Sequence, residues 1–145
     1  MRTPAGVLSM RTPAGVPVGC PTVSCAVRAL RGATTVDEDS VEQISERVQA
    51  LVRTMLERNE VAEEDLISIL FTATPDIHAM FPATAARGLG LADVPLMCAQ
   101  ELDVTGAKPL CIRVMMHIAA ERRRDELHHV YLEGARFGLR DDLPD

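Results

Sequence analysis

The apolar positions of the chain fall into strand-like and helix-like blocks. Cys25 to Arg31 (CAVRALR) alternates apolar and polar residues and stops at Gly32, the pattern of a first strand. Thr34 and Thr35 then precede Asp37, Glu38 and Asp39. Hydroxyl caps followed by acids in a first turn predict a helix start there. Val41, Ile44, Val48, Leu51, Val52 and Met55 recur at helical spacing, so an amphipathic helix is predicted to run to Arg58. Its other face carries Glu42, Glu46, Arg53 and Glu57, as a solvated face does.

Leu66 to Ala73 (LISILFTA) is a short, nearly continuous apolar run, suited to a strand buried on both faces. Thr74-Pro75-Asp76 opens a loop, and Phe81-Pro82 starts a short helix with proline at a tolerated first-turn position. Gly88 and Gly90 end that helix. Val94 to Ala99 reads as a strand, Thr105-Gly106 as a turn, and Leu110 to Ile118 (LCIRVMMHI) as a strand on its β-branched content and flanking Pro109. Arg122 to Leu127 is a polar helical turn and His128 to Leu132 a last strand. The fold class is therefore α+β, with about five strands, one long helix and short helices. One amphipathic helix cannot cover both faces of such a sheet, so the uncovered face is expected to pack on another subunit.

Composition narrows the choice. The 145 residues are 47% hydrophobic and 25% charged, enough for one domain with one core. No run approaches the ~18 apolar residues of a membrane span. A net charge of −6 argues against a partner held by nucleic-acid phosphates. Cys20, Cys25, Cys98 and Cys111 form no C-x-x-C pair and no zinc spacing, so a reduced, cytoplasmic protein is expected. MRTPAGV occurs at Met1 to Val7 and again at Met10 to Val16. Residues 1–24 contain four prolines and no acid, and the prolines interrupt any signal-like apolar run. A disordered extension over 1–24, a folded domain over 25–140 and a mobile tail over 141–145 are expected.

The 15 basic residues are 14 arginines and Lys108. Arginine is the side chain for planar, bidentate carboxylate recognition. Arg113 stands in the centre of an apolar strand, on one face with Cys111, Met115 and His117. An unpaired charge there is costly, so it either joins a structural ion pair or meets an anionic ligand. Arg31 ends the first strand beside Gly32, where side chains project to a site or into solvent. Glu101 and Asp103 follow the Val94 strand, and Tyr131, the only tyrosine, sits opposite Val130 and Leu132. His128 and His129 point to opposite faces of a strand and make a poor joint metal site, and His78 lies in a loop. No Gly-rich phosphate loop, G-x-S-x-G or H-E-x-x-H occurs. This equipment suits a small carboxylated ligand, or a reaction that needs positioning and charge but no nucleophile.

Five motifs in order carry a resemblance: RGATTV from Arg31, TATPDIHAMFPATAAR from Thr72, CAQELDVTG from Cys98, CIRVMM from Cys111 and HVYLEGA from His129. Over Val27 to Arg140 the chain resembles the AroH-class chorismate mutases. The resemblance implies a pseudo-α/β-barrel homotrimer with active sites at the subunit interfaces and no cofactor or metal. The implied reaction is the Claisen rearrangement of chorismate to prephenate, opening the branch to phenylalanine and tyrosine. By motif, Arg113 is the cation beside the breaking ether bond. Arg31 grips a substrate carboxylate with Tyr131, and Glu101 and Cys98 read the ring hydroxyl. Phe81, Ala83, Leu96 and Met97 match wall positions, Arg87 the pocket mouth, and Arg140 a tail arginine over the ligand.

Three departures stand out. Thr84 replaces a lysine that the family often carries after its FPA motif. One extra residue lies between Tyr131 and Arg140, which shifts Leu139 and Arg140. The N-terminal extension has no counterpart. Two alternatives remain open at this stage: the same chemistry on an amino analogue of chorismate, and a non-catalytic trimer that binds small acids.

Overall fold

A computed structural model describes residues 25–139; Arg140, the N-terminal repeat and the 141–145 tail lie outside the described residues. The elements are β1 (Ala26–Thr35), α1 (Val41–Arg58), β2 (Leu66–Ala73), α2 (Pro82–Arg87), β3 (Leu96–Gln100), β4 (Cys111–Ala120) and β5 (Val130–Tyr131). The strands form one mixed sheet in the order β3-β2-β4-β1-β5. β4 is central and antiparallel to both neighbours, whereas β3 joins β2, and β5 joins β1, in parallel.

The start of α1 corrects the sequence reading. Thr34 and Thr35 do not cap it; they continue β1, pairing with Ile112 and Cys111. Both are buried, and β-branched threonine suits a strand inside a sheet. The cap is Ser40, whose Oγ accepts a hydrogen bond from the Gln43 N–H. The last strand is also shorter than predicted, because only Val130 and Tyr131 pair with β1. Before it, the fully buried Asn59 holds the chain: its amide donates to Met55 O and His128 O, each at 2.9 Å, and its Oδ1 accepts from His128 N at 2.8 Å.

The helical stripe lies as the periodicity predicts except at its first position, Val41, which opens the first turn and is 48% exposed. Ile44, Val48, Leu51, Val52 and Met55 are fully buried against Leu30, Phe71, Ile112, Val114, Met116 and Val130. Each such side chain contributes roughly 1.5–3 kcal/mol on leaving water. Helices α1 and α2 cover this one face. On the opposite face Val27 and Met97 are each exposed at 64%, so the single chain leaves that face open. Among the described residues, no helix is long and apolar enough to cross a membrane.

Gly32 marks the closest approach of β1 to α1. A Cβ there would lie 2.5 Å from Met55 Sδ and 3.1 Å from Leu51 Cδ1, both inside the core. Gly32→Val should therefore cost about 1–3 kcal/mol through overpacking. A lower urea midpoint with an unchanged slope would confirm this; an unchanged midpoint would contradict it.

Candidate active site

Strand register assembles the site on the open face. Tyr131 pairs with Ala33, Ala33 with Arg113, Arg113 with Thr72, and Thr72 with Ala99. This row crosses the whole sheet with Arg113 at its centre. The next row holds Arg31, Met115, Leu70 and Met97. Arg31 and Arg113 are diagonal neighbours on adjacent strands, a spacing of roughly 7–8 Å. Two residues beyond Ala99, Glu101 leaves β3 with its N–H bonded to Ala73 O at 2.9 Å, which keeps it on the same face.

A cavity of about 280 Å³ lies over these rows, lined by Arg31, Thr72, Glu101, Arg113, Tyr131 and Leu139 among others. Small-molecule sites run from about 300 Å³ upward, so one chain provides a shallow example. Thr72 Oγ1 donates to Glu101 Oε2 at 2.8 Å. Arg113 Nε lies 3.7 Å from the same oxygen, a charge contact beyond hydrogen-bond range. Glu101 is three-quarters buried and Arg113 half exposed. Arg31 is anchored through its backbone N–H, which donates to His129 Nδ1 at 3.0 Å. Its Nη2 is buried without a hydrogen-bond partner. Two guanidiniums and one carboxylate thus line the cavity, leaving excess positive charge beside an unsatisfied donor. An anion with more than one acceptor group fits that deficit.

The remaining motif residues lie apart. A second cavity, of about 370 Å³, is lined by Thr74, His78, Met80, Phe81, Cys98 and Gln100 among others. Cys98 pairs with the buried Phe71 and shares its helix-side face, opposite to Glu101. Within one chain, therefore, Cys98 and Glu101 line different cavities. Ala83 is buried, and its N–H donates to Cys98 Sγ at 3.4 Å, tying α2 to β3. Phe81 is 74% exposed, and Thr84 and Arg87 lie on the solvent side of α2. Leu96 points toward the helices and Met97 toward the open face.

Comparison with known proteins identifies the family. The family model described as chorismate mutase type I matches residues 27–143. The chain belongs to the type I chorismate mutase family. It is 46% identical over 118 residues to chorismate mutase AroH of Bacillus subtilis, covering 81% of this chain and 92% of that protein. It is 42% identical over 118 residues to chorismate mutase AroH of Thermus thermophilus, covering 81% and 96%. The solved chorismate mutase from Clostridium thermocellum superposes with a TM-score of 0.74 at 46% identity, covering 75% of this chain and 97% of that one. That likeness bears out the α+β reading of a mixed sheet with one long helix and short ones.

In this chorismate mutase family member, sequence reasoning missed Thr72, Leu70 and Met115 as cavity walls. Alternation marks Leu70 and Thr72 as sharing a face, but only the pairing with β4 places that face over Arg113. Burial holds the thiols of Cys98 and Cys111 above their ordinary pKa, and for Cys111 the neighbouring Arg113 opposes this in part. Little thiolate, the reactive form, is then present at neutral pH. Alkylation followed by peptide mapping should label the exposed Cys25 before Cys98 or Cys111. Faster labelling of Cys98 would contradict this account of its environment.

Proposed function

We propose that this chain rearranges chorismate to prephenate on the way to phenylalanine and tyrosine, as a cytoplasmic homotrimer. The supporting observation is the open-face cavity, which Arg31, Arg113, Glu101 and Tyr131 line together and whose Arg31 has a buried guanidinium nitrogen without a partner.

Chorismate is a dianion that reacts only from a compact diaxial conformer. The ring C–O ether bond breaks while a C–C bond forms from the enolpyruvyl methylene to the ring. Bond breaking runs ahead, so negative charge grows on the ether oxygen and positive charge on the ring. A fixed cation at that oxygen binds the transition state more strongly than the substrate, which raises the rate. Arg113 takes this role. Its place on the central strand fixes the backbone from which the guanidinium reaches the cavity. Glu101, steadied by Thr72, offers its other oxygen to the ring hydroxyl and lies near the ring cation. Arg31 and the Tyr131 hydroxyl hold a carboxylate, and so help select the compact conformer. The chemistry asks for no nucleophile.

A second copy completes the site. Phe81, Cys98 and Arg87 of one copy would close over the arginine cavity of the next. This role accounts for an apolar Phe81 ring left in solvent and for the open sheet face. An exposed apolar face of that kind is the usual mark of a subunit contact. Arg140 is assigned to the same closure by motif alone.

Purified protein should consume chorismate and release prephenate. Arg113→Ala should lower kcat on the order of 10²–10³-fold, with unchanged circular dichroism and oligomer size. No turnover by the unmodified chain would overturn the function, and near-normal kcat in the variant would overturn the role of Arg113.

A further inference from the structure

The loop between β2 and α2 carries Phe81, and its two halves are held differently. At the start, Thr74 N donates to Cys111 O at 3.0 Å, Ile77 N donates to Thr74 O at 3.1 Å, and Leu110 N donates to Asp76 Oδ2 at 2.9 Å. At the end, Phe81 O accepts from Thr84 N and Ala85 N in the first turn of α2. Between these anchors lie His78, Ala79 and Met80, which line the second cavity beside Phe81. Among the described residues, one side chain bonds the backbone of this stretch. Asp39 Oδ1 accepts from His78 N at 3.0 Å and from Ala79 N at 2.9 Å, and Oδ2 accepts from His78 N at 2.9 Å.

Asp39 is itself well placed. It directly precedes Ser40, the N-cap of α1, so the clamp ties the loop to the start of the longest helix. The two N–H donors hold its carboxyl below the ordinary carboxylate pKa. The clamp therefore contributes above that ordinary value and is lost only as pH falls through the lower folded one. It is charged, and therefore at full strength, throughout the neutral range.

We propose that Asp39 is a positioning residue for chorismate: its carboxylate fixes the His78–Ala79 backbone and thereby sets the Phe81 wall of the site. This rests on the chorismate reading above. An apolar wall touches substrate and transition state alike, so its loss weakens binding without slowing the bound substrate. The charges assigned to the transition state, Arg113 and Glu101, line the other cavity and are not among the residues that line the one beside His78, Ala79 and Phe81. The signature of Asp39 is thus a rise in KM with kcat preserved.

Steady-state kinetics of the full chain with chorismate test this. Asp39→Ala should raise KM roughly tenfold and leave kcat within about twofold. Asp39→Asn should fall between, because Oδ1 alone can serve both N–H groups while the new amide faces His78 N–H. Asp37→Asn, which removes a neighbouring carboxylate bonded to Arg47 rather than to the loop, should change neither constant. If Asp39→Ala does not fold, the contrast between Asp39→Asn and Asp37→Asn carries the test. An unchanged KM at position 39, a fall in kcat with KM constant, or equal effects at 37 and 39 would each overturn the proposal. Absence of turnover in the unmodified chain would instead strike the chorismate reading. Amide exchange then decides the clamp alone: faster exchange confined to His78 and Ala79 in Asp39→Asn supports it, and unchanged exchange refutes it.

Discussion

A permanent positive charge on the central strand of a sheet must be compensated, and much of this structure is organised around that constraint. Arg113 stands mid-row on β4 with a strand pair on each side. It cannot be moved to the rim without a register slip, which would turn Ile112, Val114 and Met116 out of the core. The hydrophobic register thus fixes the cation together with what surrounds it: Thr72 and Ala33 abreast, Arg31 on the diagonal, Glu101 just past the C-terminal end of β3. Glu101 offsets only part of the charge, since Arg31 also faces the cavity with a buried nitrogen unpaired. In the proposed reaction a dianionic substrate would supply the missing acceptors.

The same placement lets an acidic protein present a cationic cavity. The overall charge of −6 is a sum over the chain, and water and salt screen exposed charges beyond about 10 Å. The two arginines act at short range in a partly desolvated cavity, where screening is weak. Net charge therefore excludes a long polyanion and says nothing against a small one.

Much of this was legible in the sequence, and the limits have physical causes. The stripe from Val41 to Met55 gave α1, because helical periodicity is a local property. Arg113 was conspicuous because a charge inside LCIRVMMHI violates the pattern around it. Thr34 and Thr35 were misread because hydroxyl residues before acids also describe a cap, and only the long-range pairing with β4 decides for strand. Strand order is non-local in the same way, so the row linking Tyr131 to Ala99 could not be read from spacing. The separation of Cys98 from Glu101 follows from strand alternation together with the burial of Phe71, which the sequence could not supply. Asp39 looked like one of three helix-start acids; its bonds to His78 and Ala79 span about forty residues, on the order of three helices' length of chain.

In the proposed homotrimer the arginine cavity of one chain works with the Phe81–Cys98 cavity of another. The most direct measurement mixes two inactive variants, one damaged in each cavity. Arg113→Ala removes the cation, and Cys98→Asp puts a carboxylate where a dianion must lie. After co-refolding in equal amounts, mixed trimers each regain one intact site, and activity should recover to about one quarter of the unmodified level. Recovery to that level supports sites shared between copies; activity no higher than that of the separate variants, with mixed trimers verified by mass, refutes them.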